Sequence, residues 1–181
     1  RILIVEDALN FVPDFNSLLA QHIESLNSAS WDIFYGGYEA TGELDMPRGT
    51  PSVAPERLIG LTHFIAFSKP AIEVAAAFLE TLLSRPPGDP KGGPMHVDGA
   101  YNWLRRHHPE LLTRLAVPQL GYQRASRNDV HDLAWYDRVT SIRAIVSATR
   151  AAKNSMRSLW LEVQSRIAMT PESRSKRCGK H

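Results

Sequence analysis

The chain opens with Arg1-Ile-Leu-Ile-Val-Glu-Asp-Ala-Leu-Asn-Phe11, and the predicted fold depends on this stretch. Its apolar run ends in two adjacent carboxylates, Glu6 and Asp7. The pattern is typical of a buried parallel strand that delivers acids to the carboxyl edge of a sheet, where open α/β sheets bind their ligands. Paired acids at that edge can hold a divalent metal, and the metal can neutralise phosphate charge. The same residues also fit a strand that ends in a solvated acidic turn.

The composition predicts one globular domain with a substantial core. The chain has 181 residues, of which 43% are hydrophobic, and its net charge of +2 is too small to predict nucleic-acid binding. Because Cys178 is the single cysteine, no intramolecular disulfide can form, and we predict a reducing, cytoplasmic location. No apolar run approaches the roughly 18 residues of a membrane span. The chain starts at Arg1 in mid-strand, so we expect a fragment whose upstream part is missing.

Strand and helix patterns alternate along the chain and predict an α/β fold. Further strands are predicted at residues 31–35 and 61–67, and helices after Asp14, from Pro70 and after Asp98, which could cap its helix. Gly36 and Gly37 are predicted to close the strand at 31–35, either as a sharp turn or where a ligand approaches the backbone. Residues 39–57 are predicted to form a long loop. The predicted buried positions are Phe15, Leu18, Leu19, Ile23, Leu26, Ile72, Ala75, Ala76, Leu79, Leu83, Tyr101, Leu104, Leu111, Leu112, Leu115 and Val117.

The C-terminal part of the chain carries the pattern of a long basic amphipathic helix. From about residue 137 to 167, apolar residues that include Met156, Leu159 and Trp160 form one stripe, and basic residues flank it. We favour a helix that packs on the domain with a solvated basic face. The alternative is peripheral contact with an anionic membrane, which would place the protein at the inner face of that membrane. Residues 169–181 are predicted to be a basic, disordered tail.

Two protein families place acids after a strand of this kind, and the first is the response-regulator receiver domain. Its opening strand also reads Ile-Leu-Ile-Val-Glu-Asp, and Asp45 and Lys69-Pro70 resemble further receiver landmarks. The residues before Asp45 lack the pattern of a buried strand, so no strand would deliver this aspartate to a site. The separation of Asp7 from Lys69 is also too short for the elements of a receiver, which makes this the weaker interpretation.

The second resemblance is to family 25 glycosyltransferases of the GT-A type, which include lipooligosaccharide and collagen sugar transferases. Five landmarks resemble that family in order, namely the Glu-Asp strand at 2–7, Trp-Asp-Ile at 31–37, the Thr-His strand at 62–71, His96-Val-Asp98, and the Gln and Ser-x-x-Asp residues between Pro118 and Asp129. The resemblance covers residues 1–132 and implies a GT-A-like (Rossmann-like) mixed sheet flanked by helices. It divides the chain into a partial transferase domain at 1–135, the C-terminal helix at 136–168 and the tail at 169–181.

The resemblance implies transfer of a hexose from a nucleotide sugar, such as a UDP-sugar, to a saccharide acceptor such as lipopolysaccharide or another cell-surface glycan. In such a reaction Glu6 and Asp7 would hold Mn²⁺ or Mg²⁺ against the diphosphate, and the metal would stabilise the leaving group. Asp98 would be the general base or would bind the acceptor hydroxyl. The candidate contacts to the donor, the acceptor or the metal are His96, Gln123, Ser126 and Asp129.

Two departures from the family pattern favour a rival hypothesis. Ala8 occupies the position of the family's third acid, which removes one carboxylate from the metal site. The upstream half, with which the family binds most of the nucleotide, has no counterpart in this chain. The alternative is therefore an inactive, truncated transferase remnant that acts as a binding module.

Overall fold

A five-stranded sheet and a two-stranded sheet organise the first of two compact units. The computed structural model describes residues 1–40 and 46–124, together with 152, 153, 155, 156 and 158–160. The first unit comprises Arg1–Phe11 and Phe15–Gln123, and the second comprises Val12–Asp14 and Arg124–His181. The elements in chain order are β1 (Ile2–Val5), β2 (Leu9–Phe11), α1 (Phe15–Asn27), β3 (Ile33–Ala40), β4 (Ser52–Val53), β5 (Ile59–Phe67), α2 (Lys69–Leu83), α3 (Val97–His107), β6 (Thr113–Leu115) and β7 (Gly121–Gln123).

The main sheet has the order β1-β5-β3-β6-β4 and contains both parallel and antiparallel pairs. β5 pairs antiparallel with β1 and β3, whereas β3 and β6 run parallel. β2 and β7 form the separate antiparallel pair. The prediction of an α/β fold with a mixed sheet is therefore confirmed.

Helices pack on both faces of the main sheet. The side chains of each strand point alternately to one face and to the other. Ile33, Tyr35 and Ile65 are fully buried in the core cluster to which α2 and α3 contribute Ala71, Ala75, Tyr101 and Leu104. Phe34 points to the other face, where its ring lies 6.4 Å from the ring of His22 in α1. The sheet is thus flanked by α1 on one face and by α2 and α3 on the other.

The prediction that the opening strand is buried and parallel is wrong. β1 lies at an edge of the main sheet and runs antiparallel to β5. All four of its side chains are exposed, from 37% for Ile4 to 56% for Leu3. The apolar run was misleading because a hydrophobic edge strand and a central strand have the same sequence pattern. Glu6 and Asp7 therefore follow an edge strand, not a central strand.

The two adjacent glycines lie inside a strand and do not close it. β3 continues through Gly36 and Gly37 to Ala40, with register shifts against β5 between Tyr35 and Gly37 and between Gly37 and Glu39. A Cβ at Gly37 would stand 2.4 Å from Nε2 of the His63 ring. The glycines therefore permit a bulged strand and the close approach of a neighbouring side chain, as internal strand glycines often do.

The predicted loop at 39–57 contains β4, and its residues 41–45 lie outside the described residues. Asp45, the acid considered for a receiver domain, is among these. β4 pairs antiparallel with β6 and ends the main sheet. A two-residue strand is too short for its alternation to be read from sequence, which is why the prediction missed it.

Helix positions were predicted well, but the buried face was wrong in places. In α2 the buried residues are Ala71, Ala75 and Leu82, whereas Leu83 is 70% exposed. Ile23 in α1 and Leu112 after α3 are also exposed, at 47% and 45%. An Ala-rich helix has apolar residues on more than one face, so spacing alone does not determine which face packs. Leu18, Tyr101, Leu104, Leu111 and Leu115 are buried as predicted.

α3 is attached to the sheet through buried polar side chains. Asn102 accepts from the backbone N–H of Ile59 (3.0 Å) and donates to the Ile59 carbonyl (2.7 Å). The fully buried Arg105 donates to the carbonyls of Ala54 (2.7 Å) and Arg57 (2.9 Å). Since these bonds reach the start of β5 and the loop before it, they set the position of the whole helix.

The second unit is described at only a few residues, and those at 152, 153, 155, 156 and 158–160 are helical. The rest of the predicted helix and tail, 136–181, lies outside the described residues. Met156, Leu159 and Trp160, which belong to the predicted apolar stripe, are 71%, 60% and 60% exposed. In the described part of the chain, no helix has the length and apolarity needed to cross a membrane.

We expect His22 in α1 to make the stability of the protein depend on pH. His22 is 2% exposed, its Nε2 lies 2.9 Å from the Pro118 carbonyl, and its Nδ1 has no hydrogen-bond partner among the described residues. Burial lowers its pKa below the ordinary 6.5, and the bond to Pro118 opposes this only partly. Below pH 6.5 the unfolded chain therefore binds more protons than the folded chain, and stability falls on acidification.

The effect of His22 is measured by urea unfolding of the wild type and His22→Gln between about pH 7.5 and pH 5. One such group contributes at most about 1.4 kcal/mol per pH unit. We expect the free energy of unfolding of the wild type, relative to that of His22→Gln, to decrease as the pH is lowered from 6.5. A stability difference that stays constant across this range would contradict the prediction.

Candidate functional site

The first group of candidate residues lies at the end of β1. The backbone N–H of Glu6 donates to the His63 carbonyl at 3.1 Å, which extends the β1–β5 pairing by one residue. The carboxylate of Glu6 accepts from the Thr62 hydroxyl at 3.2 Å. Glu6 is half-buried, whereas Asp7 is exposed in the turn that follows. The two adjacent carboxylates are therefore held differently, with Glu6 anchored to β5 and Asp7 facing solvent.

Gln123 is brought to the same end of β1 by the small sheet. After the turn at Asp7, the chain enters β2, and Leu9 of β2 pairs with Gln123 of β7. Gln123 is thus opposite a residue only two positions after Asp7, although 116 residues separate them in sequence. Ser126 and Asp129, the other candidates in this segment, lie outside the described residues.

The second group of candidates lies at the N-terminus of α3. His96, not Asp98, occupies the N-cap position, and its side chain makes no capping hydrogen bond. The suggestion that Asp98 is the cap is therefore wrong. Asp98 lies in the first turn, half-buried, and its Oδ1 accepts from the Gly99 N–H at 2.9 Å. A carboxylate is favoured in a first helical turn whether or not it has a catalytic role.

β5 connects the two groups of candidates. The Asn102 side chain, which also donates to the Asp98 carbonyl at 2.9 Å, is bonded to Ile59, whereas Glu6 is bonded at Thr62. Three residues of a fully extended chain span at most about 10 Å, so the two attachment points on β5 lie within that distance of each other. Leu61 lies between them with a φ of 55°, the one positive φ among the described non-glycine residues. Such strained conformations cost roughly 1–3 kcal/mol and are concentrated at functional sites.

Two tyrosines near this region are excluded as general bases. Tyr35 is fully buried, and its burial raises the pKa of the hydroxyl well above the ordinary value, although Arg105 lowers it in part. Burial raises the pKa of Tyr38 to about 12, and its hydroxyl donates to the Ala116 carbonyl at 3.1 Å. Both phenols are therefore protonated at neutral pH, and the acids remain the candidates for proton transfer.

Glu6 and Asp7 fit a metal site only if the substrate supplies ligands. Among the described residues, no group of three or more His, Cys, Asp or Glu side chains could hold a metal ion. Mg²⁺ is usually bound through one or two carboxylates, with water and substrate phosphates completing the shell. Two adjacent carboxylates match that donor set, whereas a site built from protein ligands alone would need more of them.

Sequence reasoning missed the residues that position the candidates. Thr62 and His63 belong to a landmark but have no predicted role, and Asn102 and Arg105 belong to no predicted site. Polarity is the available signal in the sequence. Thr62 and His63 interrupt an apolar strand, and Arg105 lies one helical turn after both Tyr101 and Asn102. Buried polar side chains of this kind are retained only when hydrogen bonds satisfy them.

Comparison with known proteins does not assign the chain to a family. No family model, no curated protein and no solved structure matches it.

Proposed function

We propose that this chain is part of a glycosyltransferase domain of GT-A-like fold, which transfers a hexose from a nucleotide sugar to a saccharide acceptor. The observation that carries the proposal is the convergence of separate sequence landmarks on neighbouring strands. Glu6 is hydrogen-bonded to Thr62 and His63. Gln123 lies in β7, which pairs with β2, and β2 begins two residues after Asp7. These residues belong to three of the five segments that resemble family 25 glycosyltransferases, and they meet at one end of β1.

Each candidate residue has a distinct role in this proposal. Glu6 and Asp7 would hold Mn²⁺ or Mg²⁺, which when bound supplies a Lewis acid for the donor diphosphate. The Thr62 hydroxyl donates to one oxygen of the Glu6 carboxylate and anchors this side chain to β5, whereas Asp7 is exposed. Gln123 offers an amide for a sugar or phosphate oxygen. Asp98 is the general base or the acceptor ligand, and Asn102 holds its turn against β5.

The proposal is tested by calorimetric titration of UDP into the chain, with and without Mn²⁺. We expect Mn²⁺ to strengthen UDP binding, and Asp7→Asn to weaken the Mn²⁺-dependent binding at least about tenfold, because the variant removes one of only two carboxylates. The matched control is Glu73→Gln, which changes the charge equally at an exposed position of α2. UDP binding that is absent, or independent of both Mn²⁺ and Asp7, would contradict the proposed site.

An inactive remnant that acts as a binding module is the second candidate function. Ala8 supports it, since the third acid of the family pattern is missing and the described residues supply no replacement. This candidate predicts no turnover of any nucleotide sugar even when the donor is bound. Hydrolysis or transfer assays with a panel of UDP-sugars, run beside the calorimetry, therefore separate the two functions.

Contact with an anionic membrane surface is the proposed role of the C-terminal segment. The exposed Met156, Leu159 and Trp160 lie on a helical stretch that also carries the exposed Lys153. Apolar and basic side chains of this kind insert at the boundary between headgroups and acyl chains. This contact fits a transferase whose acceptor is a membrane glycan.

A further inference from the structure

His63 of β5 contacts two of the segments that carry candidate residues. Its backbone carbonyl accepts from the Glu6 N–H at 3.1 Å, and Nε2 of its ring lies 3.4 Å from the carbonyl oxygen of Gly121 in β7. β3 passes beside the same ring, since a Cβ at Gly37 would stand 2.4 Å from Nε2. His63 is therefore attached both to the end of β1 and to the strand in which Gln123 lies.

An irregularity in β5 makes these contacts possible. Residues 61–63 of β5 lie between two residue pairs with β3, and β3 contributes one residue to the same interval where β5 contributes three. Bulges of this kind leave the extra residues unpaired and re-aim their side chains, and they are over-represented beside active sites. Thr62 here donates to the Glu6 carboxylate at 3.2 Å, and the His63 ring reaches Gly121. The bulge thus gives β5 two polar side chains that hold neighbouring segments.

The ring of His63 is a hydrogen-bond donor to β7. A carbonyl oxygen only accepts, so the ring nitrogen that faces Gly121 carries the proton. The ring is fully buried, so bulk water does not compete for this hydrogen bond. Gly121 is two residues before Gln123 in a strand of three residues, so the position of one depends on that of the other. Loss of the His63 donor is therefore transmitted to Gln123.

We propose that His63 is a positioning residue that fixes Gln123 relative to the carboxylates of Glu6 and Asp7. This role rests on the proposed function, in which these side chains contact one nucleotide sugar and its metal. His63 is fully buried, so it acts through the strands that it anchors and not through contact with the ligand. Misplacing a binding group by about 1 Å can cost about a hundredfold in rate, so the spacing that His63 maintains affects binding and turnover.

Hydrogen exchange of backbone amides measures this positioning directly. His63→Leu has a side chain of similar size without an N–H, and we expect the amides of β2 and β7 to exchange at least about tenfold faster, because this pair opens more easily. His63→Gln is the rescue variant, since its amide carries an N–H donor at a similar distance from the backbone, and we expect exchange within about threefold of the wild type. The amide of His63→Asn is one methylene shorter, so this variant should behave as His63→Leu does and replaces it if His63→Leu does not fold.

Calorimetric titration of UDP with Mn²⁺ tests whether the position of Gln123 matters to the ligand. We expect His63→Leu to weaken binding at least about tenfold and His63→Gln to retain it. In a Gln123→Ala background, His63→Leu should change the affinity by less than about threefold, because the group that it displaces is already absent.

The control for a loss of stability alone is Leu82→Ala, a buried position of α2, which carries no candidate residue. It should lower stability and leave UDP affinity and the exchange of β2 and β7 unchanged. A wild type that does not bind UDP would contradict the proposed function, and the exchange data alone would then decide the role of His63. Exchange and affinity unchanged in both His63→Leu and His63→Asn, no rescue by His63→Gln, or an undiminished effect of His63→Leu in Gln123→Ala would overturn the positioning role.

Discussion

Replacing Arg105 by methionine is expected to destabilise the protein by about 2–4 kcal/mol, because buried and half-buried acceptors would lose their donor together. The guanidinium is fully buried and bonds to the carbonyls of Ala54 and Arg57, to the Thr113 hydroxyl (3.2 Å) and to the Asn102 amide oxygen (3.2 Å). Methionine fills much of the volume but donates no hydrogen bond. Each unsatisfied buried acceptor costs about 1–3 kcal/mol, and the losses are not fully additive.

Chemical denaturation followed by circular dichroism measures the Arg105 effect. The neighbouring Arg106→Met is the matched control, since Arg106 is exposed and makes one long bond of 3.5 Å to the Glu56 carbonyl. We expect the control to change stability by less than about 0.5 kcal/mol, as exposed positions usually do. Arg105→Lys should recover little, because a single ammonium cannot replace the planar set of donors. Equal stability of Arg105→Met and Arg106→Met would refute the structural role.

Adding one methyl group at Gly37 is the second change expected to have a large effect, about 2–4 kcal/mol of destabilisation. The new Cβ would stand 2.4 Å from Nε2 of His63 and 2.8 Å from the backbone oxygen of Gly121. The His63 ring is itself fully buried, so it has little room to move, and the Gly121 oxygen belongs to β7. The clash would therefore push β3 away from β5, which carries His63, and from β7, which carries Gln123.

The matched control for Gly37→Ala is Gly60→Ala in β5. There the nearest atom to the new Cβ is the Glu39 carbonyl oxygen at 3.5 Å, an ordinary contact distance. We expect thermal and urea unfolding to show a change of less than about 1 kcal/mol for Gly60→Ala. If Gly37→Ala were no less stable than Gly60→Ala, the close packing of β3 on His63 would not hold in solution.

The two large effects have structural causes that no motif indicates. Arg105 has no predicted role, and Gly37 is predicted only to end a strand or to mark where a ligand approaches the backbone. In both cases the role comes from a neighbour that is distant in sequence, 48 residues away for the Arg57 carbonyl and 26 for His63. Local pattern contains no information about such neighbours, because side-chain periodicity reports only which face of an element is apolar.

Strand pairing brings only some of the predicted candidate residues together. Glu6, Asp7 and Gln123 were chosen from separate segments, and the β1–β5 and β2–β7 pairings bring their segments to one end of β1. Asp98 and His96 were also chosen, but their helix is tied to Ile59 at the start of β5. The distance between the two groups depends on β5 and on the strained Leu61, which no spacing in the sequence indicates.

The sequence by itself determined the order and type of most elements, because apolar periodicity, glycine, proline and helix-start residues act within a few positions. It also determined that carboxylates follow the first strand. The tertiary structure alone decided that this strand is an exposed antiparallel edge, that β3 passes through its glycines, and that Asn102 and Arg105 hold α3 in place. Strand pairing and the satisfaction of buried polar groups join distant segments, so they are decided only when the whole chain has folded.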